Sequence, residues 1–405
     1  MQTNLIEPAH LAAEFSPTTP AVSDAFSAPR RGRIRRLDGL RGVAILLVLL
    51  VHFTPDVAMP ARALEWLKKM AQAGWVGVDL FFVLSGFLIT SILLDSKSHP
   101  LFFRNFYMRR TLRIFPLYYT AVAASLFLAP AFLQLGPSTL EQLRSSAPWL
   151  WGYCANIGWF LQGTVGVPWP SDEVRLVHFW SLSVEEHFYL LWPIVIYFCP
   201  MRQLPWVCLG MFLLSLTTRC AGLLVYDGNS PFFYTTICRL DGLAAGAFLA
   251  VIARRMPLDK LAGVARITVA IGATILTAFF VTQKGLWPGH WFMRSIGLTC
   301  LVMLVAACLI IILSSPKEGA GARLFENGML RFFGKYSYGL YVIHSMIAVG
   351  LERLMPIEWW LRTTGSPVLS TLGSLFAKVS ISTLLAVASW HLLEKHFLDL
   401  KRHFA

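Results

Sequence analysis

The stretch "RLDGLRGVAILLVLLVHF" occupies residues 36–53. Its apolar length suits a membrane span, yet Arg41 stands near its start and His52 stands eleven residues further on. A helix advances about 1.5 Å and 100° per residue, which places the two on nearly one face, about 16 Å apart. An ionisable residue at bilayer depth costs several kcal/mol or more, so each needs a partner or a task. A run that is otherwise Leu, Val and Ile therefore predicts a first membrane helix with two functional positions on one wall.

The rest of the chain agrees with a membrane setting. Its 405 residues are 56% hydrophobic and 14% charged, with a mean hydropathy of +0.59, where a soluble domain carries about 25% charged residues. Apolar runs of spanning length fall near residues 39–56, 75–94, 115–133, 179–198, 205–224, 236–253, 265–283, 293–313, 336–354 and 370–392. The expectation is an all-α polytopic bundle of about ten transmembrane helices. The net charge of +13 follows the positive-inside rule and does not signal nucleic acid. Lys and Arg gather at residues 30–36, 104–113, 254–266, 317–335 and 395–402. An N-terminus inside puts roughly 22 of them inside and roughly 10 outside, and both termini are then cytoplasmic.

Residues 1–36 contain no apolar signal-peptide core and read as a disordered basic cytoplasmic arm. The membrane domain is expected over 37–398 and a short cytoplasmic tail over 399–405. Seven cysteines form no CxxC pair and read as small buried hydrophobes, with no metal site implied. Residues 147–167 are apolar, but counting them as a span would reverse every downstream positive cluster. They read as a re-entrant or interfacial part of an outer loop, with Trp149, Trp151 and Trp159 at headgroup depth.

Depth counting then groups the ionisable residues. His52 lies roughly 18 Å from the inner edge of a core about 30 Å thick. Glu185, Glu186 and His187, in "HFWSLSVEEHFYLLWP", lie roughly 9–12 Å below the outer edge, at the same level. A His and a Glu on different helices form a general-base pair for a hydroxyl, or an interhelical hydrogen bond. Asp79, Ser85, Asp241, Tyr338 and His344 complete the set of polar residues able to line a pocket. In "FRNFYMRRTLRIFPLYY", Arg110 and Arg113 share a helical face beside Arg109, a grouping suited to phosphates and equally expected from topology. "RLDGL" recurs at residues 239–243 as a helix-entry signal, and Lys378 is expected to snorkel.

The motifs "LDGLRGVAILLVLLVHF", "GVDLFFVLSGFLIT", "RRTLRIFPLYY", "FWSLSVEEHFYLLWP", "RLDGLAAGAFLA", "GKYSYGLYVIH" and "EKHF", in this order, resemble the acyltransferase-3 family of integral membrane O-acyltransferases. The resemblance covers residues 36–398. It implies transfer of an acyl group, often acetyl, from acyl-CoA as co-substrate to a hydroxyl of a saccharide or glycolipid, with no tightly bound cofactor. It makes Arg41 and His52 essential, associates Arg110 and Arg113 with acyl-CoA, and carries the family glutamate onto Glu185. Glu186 falls at a variable position, and His187 stands where glutamine is usual. Some members continue into a soluble esterase-like domain of the SGNH type. The chain stops soon after its last span, which implies that transfer finishes in the membrane domain or with a separate partner. His52 is then either the base or a transient acyl carrier. The other reading of the intramembrane His and Glu residues is a proton-coupled secondary transporter or lipid-linked saccharide flippase. The inferred location is a bacterial plasma membrane, with membrane lipid, acyl-CoA and the acceptor as partners and no nucleic acid.

Overall fold

The structure is a computed structural model that describes residues 35–164, 174–316 and 319–404. Among these residues every regular element is helical. Helix α1 (Arg35–Phe53) leads to α2 (Arg62–Gln72), which continues through a single 3₁₀ turn into α3 (Val76–Ser96). Helix α4 (Phe102–Ala123) runs through a π-turn into α5 (Ala129–Leu133). The outer-loop region holds α6 (Pro137–Trp151) and α7 (Ala155–Thr164). Next come α8 (Phe179–Phe198), α9 (Leu204–Gly222), α10 (Thr236–Ala253), α11 (Ala262–Thr282) and α12 (Leu298–Ser314). The short α13 (Ala320–Phe325) precedes α14 (Gly328–Leu354), α15 (Ile357–Thr364), α16 (Pro367–Ser389) and α17 (Lys395–Asp399).

Each of the ten apolar runs falls on one of these helices. Seven helical segments are long and apolar enough to cross a membrane, or eight if α14 and α15, bent by 55°, count as one span. The protein is therefore a multi-pass membrane protein, with fewer self-sufficient spans than the ten expected. Helices α1 and α8 have spanning length but fall outside the seven. They carry Arg36, Asp38 and Arg41, and Glu185, Glu186 and His187. The same residues that make these helices chemically interesting lower their apolarity.

Residues 147–167 do not form one continuous helix. Helix α6 ends at Trp151, Tyr153 takes a left-handed backbone with φ 54°, and α7 restarts at Ala155. Helices of 15 and 10 residues are too short to cross about 30 Å of hydrocarbon. Residues 165–167 of this stretch, and the N-terminal arm up to residue 34, lie outside the described residues.

Helix α1 sits at the centre, packed between α3 and α14. Lipid tails are as apolar as leucine, so close backbone approach replaces the hydrophobic effect as the cement between membrane helices. Glycines provide that approach. A Cβ at Gly42 would lie 2.0 Å from the Leu330 carbonyl oxygen, and one at Gly334 1.8 Å from that of Asp38, which locks α1 to α14. Helices α3 and α10 meet the same way: a Cβ at Gly86 would lie 2.0 Å from the Leu243 oxygen, and one at Gly246 2.0 Å from the Val83 oxygen. Ile45, Val48, Leu49 and Phe53 of α1 are consequently buried in the main core.

Two buried ion pairs hold the second "RLDGL" motif. Arg239 meets Asp79 of α3 and Arg219 of α9 meets Asp241, each at 2.8 Å. Lys378 does not snorkel: it is 5% exposed, and its Nζ lies 2.9 Å from Glu352 Oε1. The reason is Glu352 near the end of α14, a partly exposed carboxylate that gives the ammonium a partner short of open water.

Candidate active site

Two cavities open inside the bundle and share a wall made by Val78 of α3 and Tyr341 of α14. The smaller, of about 90 Å³, gathers charged and hydroxyl side chains from five helices. Arg41 comes from α1, Arg110 and Arg113 from α4, Glu185 and Glu186 from α8, and Ser85 and Tyr338 from α3 and α14. Helical spacing explains the grouping: Arg110 and Arg113 are three residues apart, as are Glu186 and Tyr189, so each pair faces one side. Arg41 also lies 3.8 Å from Asp38, one turn earlier. The Arg110 guanidinium stacks 5.6 Å from the Tyr189 ring centre. Glu185 faces the hydroxyls of Ser85 and Tyr189, which are themselves hydrogen-bonded to each other. Tyr338 donates to the Ile114 carbonyl at 2.6 Å and ties α14 to the arginine helix. Glu186 Oε1 is buried without a hydrogen-bond partner among the described residues.

Arg109 lines neither cavity and is exposed on the outer face of α4. Lys401, in the turn after α17, lies within electrostatic reach of Arg109, Arg110 and Arg113. It brings a fourth cation to this end of the molecule. Sequence reading treated the C-terminal tail only as part of the inside charge count, since nothing local shows that it folds back on α4.

The larger cavity, of about 420 Å³, contains His52. His52 is open to this space, whereas His178 and His344 are buried, at 5% and 0% exposure. The three imidazoles form an edge-to-face row, with ring centres 4.8 Å apart for His52–His344 and 4.9 Å for His344–His178. His52 Nδ1 lies 2.8 Å from the Val48 carbonyl. A carbonyl only accepts, so Nδ1 carries the hydrogen and donates, which leaves the lone pair on Nε2. His344 is held similarly: Nδ1 donates to Tyr341 O at 2.7 Å and Nε2 receives the Ser345 hydroxyl at 3.2 Å. His52 is thus the open ring with a fixed tautomer and an available basic nitrogen.

The expected His52–Glu185 pair is not formed, because the two residues line different cavities. At the His52 level the start of α8 contributes Trp180, and the turn just before it contributes Val177 and His178. Glu185 follows His178 by seven residues, or about 10 Å of helix. It lies toward Arg41 instead. Depth counting took the start of α8 as the membrane edge, and that error displaced Glu185 toward His52.

Three other candidates serve elsewhere. Asp79 and Asp241 are engaged by Arg239 and Arg219 and line neither cavity. His187 points to α10, where its Nδ1 lies 2.6 Å from the Thr236 hydroxyl. His178 escaped sequence analysis although it precedes "FWSLSVEEH" directly; its two-turn spacing from Glu185 was the available signal.

Together these features define an all-helical multi-pass membrane protein with a charged cavity and a histidine cavity back to back. The model of the family described as "Acyltransferase domain", acyltransferase-3, matches residues 34–387, and the chain belongs to that family. Over 356 residues it is 29% identical to the peptidoglycan O-acetyltransferase OatA of Listeria monocytogenes, covering 81% of this chain and 52% of that protein. It is 28% identical to the putative peptidoglycan O-acetyltransferase YrhL of Bacillus subtilis, covering 89% and 54%. It is also 28% identical to the O-acetyltransferase OatA of Staphylococcus aureus, covering 77% and 50%. The chain spans about half the length of these curated relatives. No solved structure matches it significantly.

Proposed function

We propose that the chain is an integral membrane O-acyltransferase that moves an acyl group, acetyl by analogy with its relatives, from acyl-CoA to a saccharide hydroxyl. The observation that carries this reading is the open Nε2 of His52 in a large cavity that adjoins an arginine-lined one. Arg110 and Arg113, with Lys401 nearby, suit the phosphates of CoA, since guanidiniums grip phosphate oxygens bidentately. Arg41 and Glu185 line the path along which the pantetheine arm brings the thioester past Val78 and Tyr341.

The acceptor enters the His52 cavity, where Trp75, Trp159 and Trp180 offer flat apolar faces to sugar rings. His52 Nε2 takes the hydroxyl proton as the oxygen attacks the thioester carbonyl. The new C–O bond forms, the C–S bond breaks, and the CoA thiolate leaves and takes up the proton. In this reading α1 and α8 also cross the membrane, which gives ten spans, cytoplasmic termini and a donor side facing the cytoplasm. The setting is a bacterial plasma membrane. The whole chain in lipid nanodiscs, given acetyl-CoA and peptidoglycan-derived saccharides, is expected to release CoA and add an acyl increment detectable by mass. His52→Ala is expected to lower CoA release at least a hundredfold without changing thermal unfolding. A variant that transfers at the wild-type rate would remove His52 from the chemistry.

A further inference from the structure

The His52 cavity has a charge pattern that acyl transfer to a neutral sugar does not require. Among the described residues its lining includes Arg175, Arg239 and Arg294 together with His52 and His178, and no Asp or Glu. Arg175 is neutralised outside the cavity by Glu352 at 2.8 Å, and Arg239 by Asp79 at 2.8 Å. Among the described residues Arg294 has no such counterpart. It is 2% exposed, and its Nε donates to the Gly228 carbonyl at 2.7 Å and its Nη2 to the Tyr234 hydroxyl at 2.9 Å. Its guanidinium also lies over the Tyr234 ring, 4.5 Å from the centre. These partners are all neutral. Arg239, 4% exposed, adds a buried Nε without a hydrogen-bond partner among the described residues.

Burying a guanidinium among neutral groups costs several kcal/mol unless an anion completes its shell. Two nearly buried arginines on one cavity, one of them without a carboxylate among the described residues, suit an anion. The aromatic walls add recognition of a sugar ring: Trp159 and Trp180 both pack against Tyr234, with ring centres 4.8 and 4.9 Å away. A planar carboxylate matches the fork of a guanidinium, and a hydroxyl on the same sugar then lies toward His52. Resting on the acyltransferase reading above, we propose that the acceptor is an acidic saccharide whose carboxylate is held by Arg294, with Arg175 and Arg239 supplying the surrounding positive field.

The test is calorimetric binding by the whole chain in nanodiscs. The probes are a disaccharide ending in glucuronic acid and the matching neutral disaccharide ending in glucose. The acid is expected to bind at least tenfold more tightly. Arg294→Gln is expected to abolish most of that preference, Arg294→Lys to retain part of it, and the half-exposed Arg175→Gln to weaken it without threatening the fold. Arg266→Gln, on the exposed face of α11, serves as the control for general attraction to a basic protein and is expected to leave the preference unchanged. Equal affinity for the two sugars, or binding of neither, would overturn the proposal. So would a preference that survives both Arg294→Gln and Arg175→Gln. CoA release reports separately on acyl transfer: charge-selective binding without CoA release defeats the acyltransferase reading and leaves this receptor standing.

Discussion

His52 owes its availability to a single backbone contact. The Val48 carbonyl, one turn earlier on α1, holds Nδ1–H and turns Nε2 toward the cavity. Position 52 stood out because a histidine inside an apolar run needs a partner or a task, although an interhelical hydrogen bond would have met that need as well. The same holds for Arg41. His178 and Arg294 were not legible, since each sits at the end of an apolar run where polar residues are ordinary. Asp79 illustrates the intermediate case: its oddity was visible, but its partner lies 160 residues away on α10. Removing that carboxylate leaves Arg239 buried beside Phe82 and Trp180 without its hydrogen-bonded counter-charge, since the neighbouring Asp241 is engaged by Arg219. Asp79→Asn is therefore expected to destabilise the fold by about 3–5 kcal/mol. Denaturant unfolding in detergent measures it, and a loss below about 1 kcal/mol would mean that the pair is not a structural tie. The double variant Asp79→Asn, Arg239→Met is expected to recover part of the stability, because it removes the stranded charge.

At the scale of helices, apolar length is a local property, and each apolar run in the sequence corresponds to a helix. Which helices touch is not local. The union of α1 with α14 depends on Gly42 and Gly334 lying against backbone carbonyls of the opposing helix. Neither glycine differs in sequence context from the many others in the membrane runs. A side chain at Gly334 meets a backbone oxygen, which cannot swing aside as a side chain would. Gly334→Leu is expected to force α1 and α14 apart and lower the thermal midpoint of the purified protein by several degrees. Gly350→Leu, on the same helix with nothing within 4 Å of a Cβ, is expected to leave it unchanged. Equal midpoints for the two variants would show that close backbone contact does not set this interface. For residues 147–167 the sequence reading rests on charge balance across the whole chain, which disfavours another crossing; the turn at residues 152–154 that divides α6 from α7 is a local feature that this balance does not specify.

For the whole molecule, sequence supplies spacing along each helix, whereas packing supplies the angle around each helix and the offset between helices. Arg41 and His52 occupy one face of α1, and the bundle uses that face to line two cavities in succession, with the arginine in the first and the histidine in the second. Glu185 belongs with Arg41 because α8 starts near the level of His52 and descends about two turns before reaching it. If donor and acceptor occupy separate chambers, the shared wall at Val78 and Tyr341 is the place where their reacting groups meet. Val78 is 9% exposed, with its side chain at that junction. A larger residue there obstructs passage without removing any charged group from either chamber. Val78→Phe, at an overpacking cost of about 1–3 kcal/mol, is expected to lower kcat for acyl transfer at least tenfold. The KM for acetyl-CoA and the affinity for the saccharide are expected to change less than threefold. A matched loss of donor binding would place the junction inside the CoA site itself, and an unchanged kcat would mean that the two chambers are joined by another route.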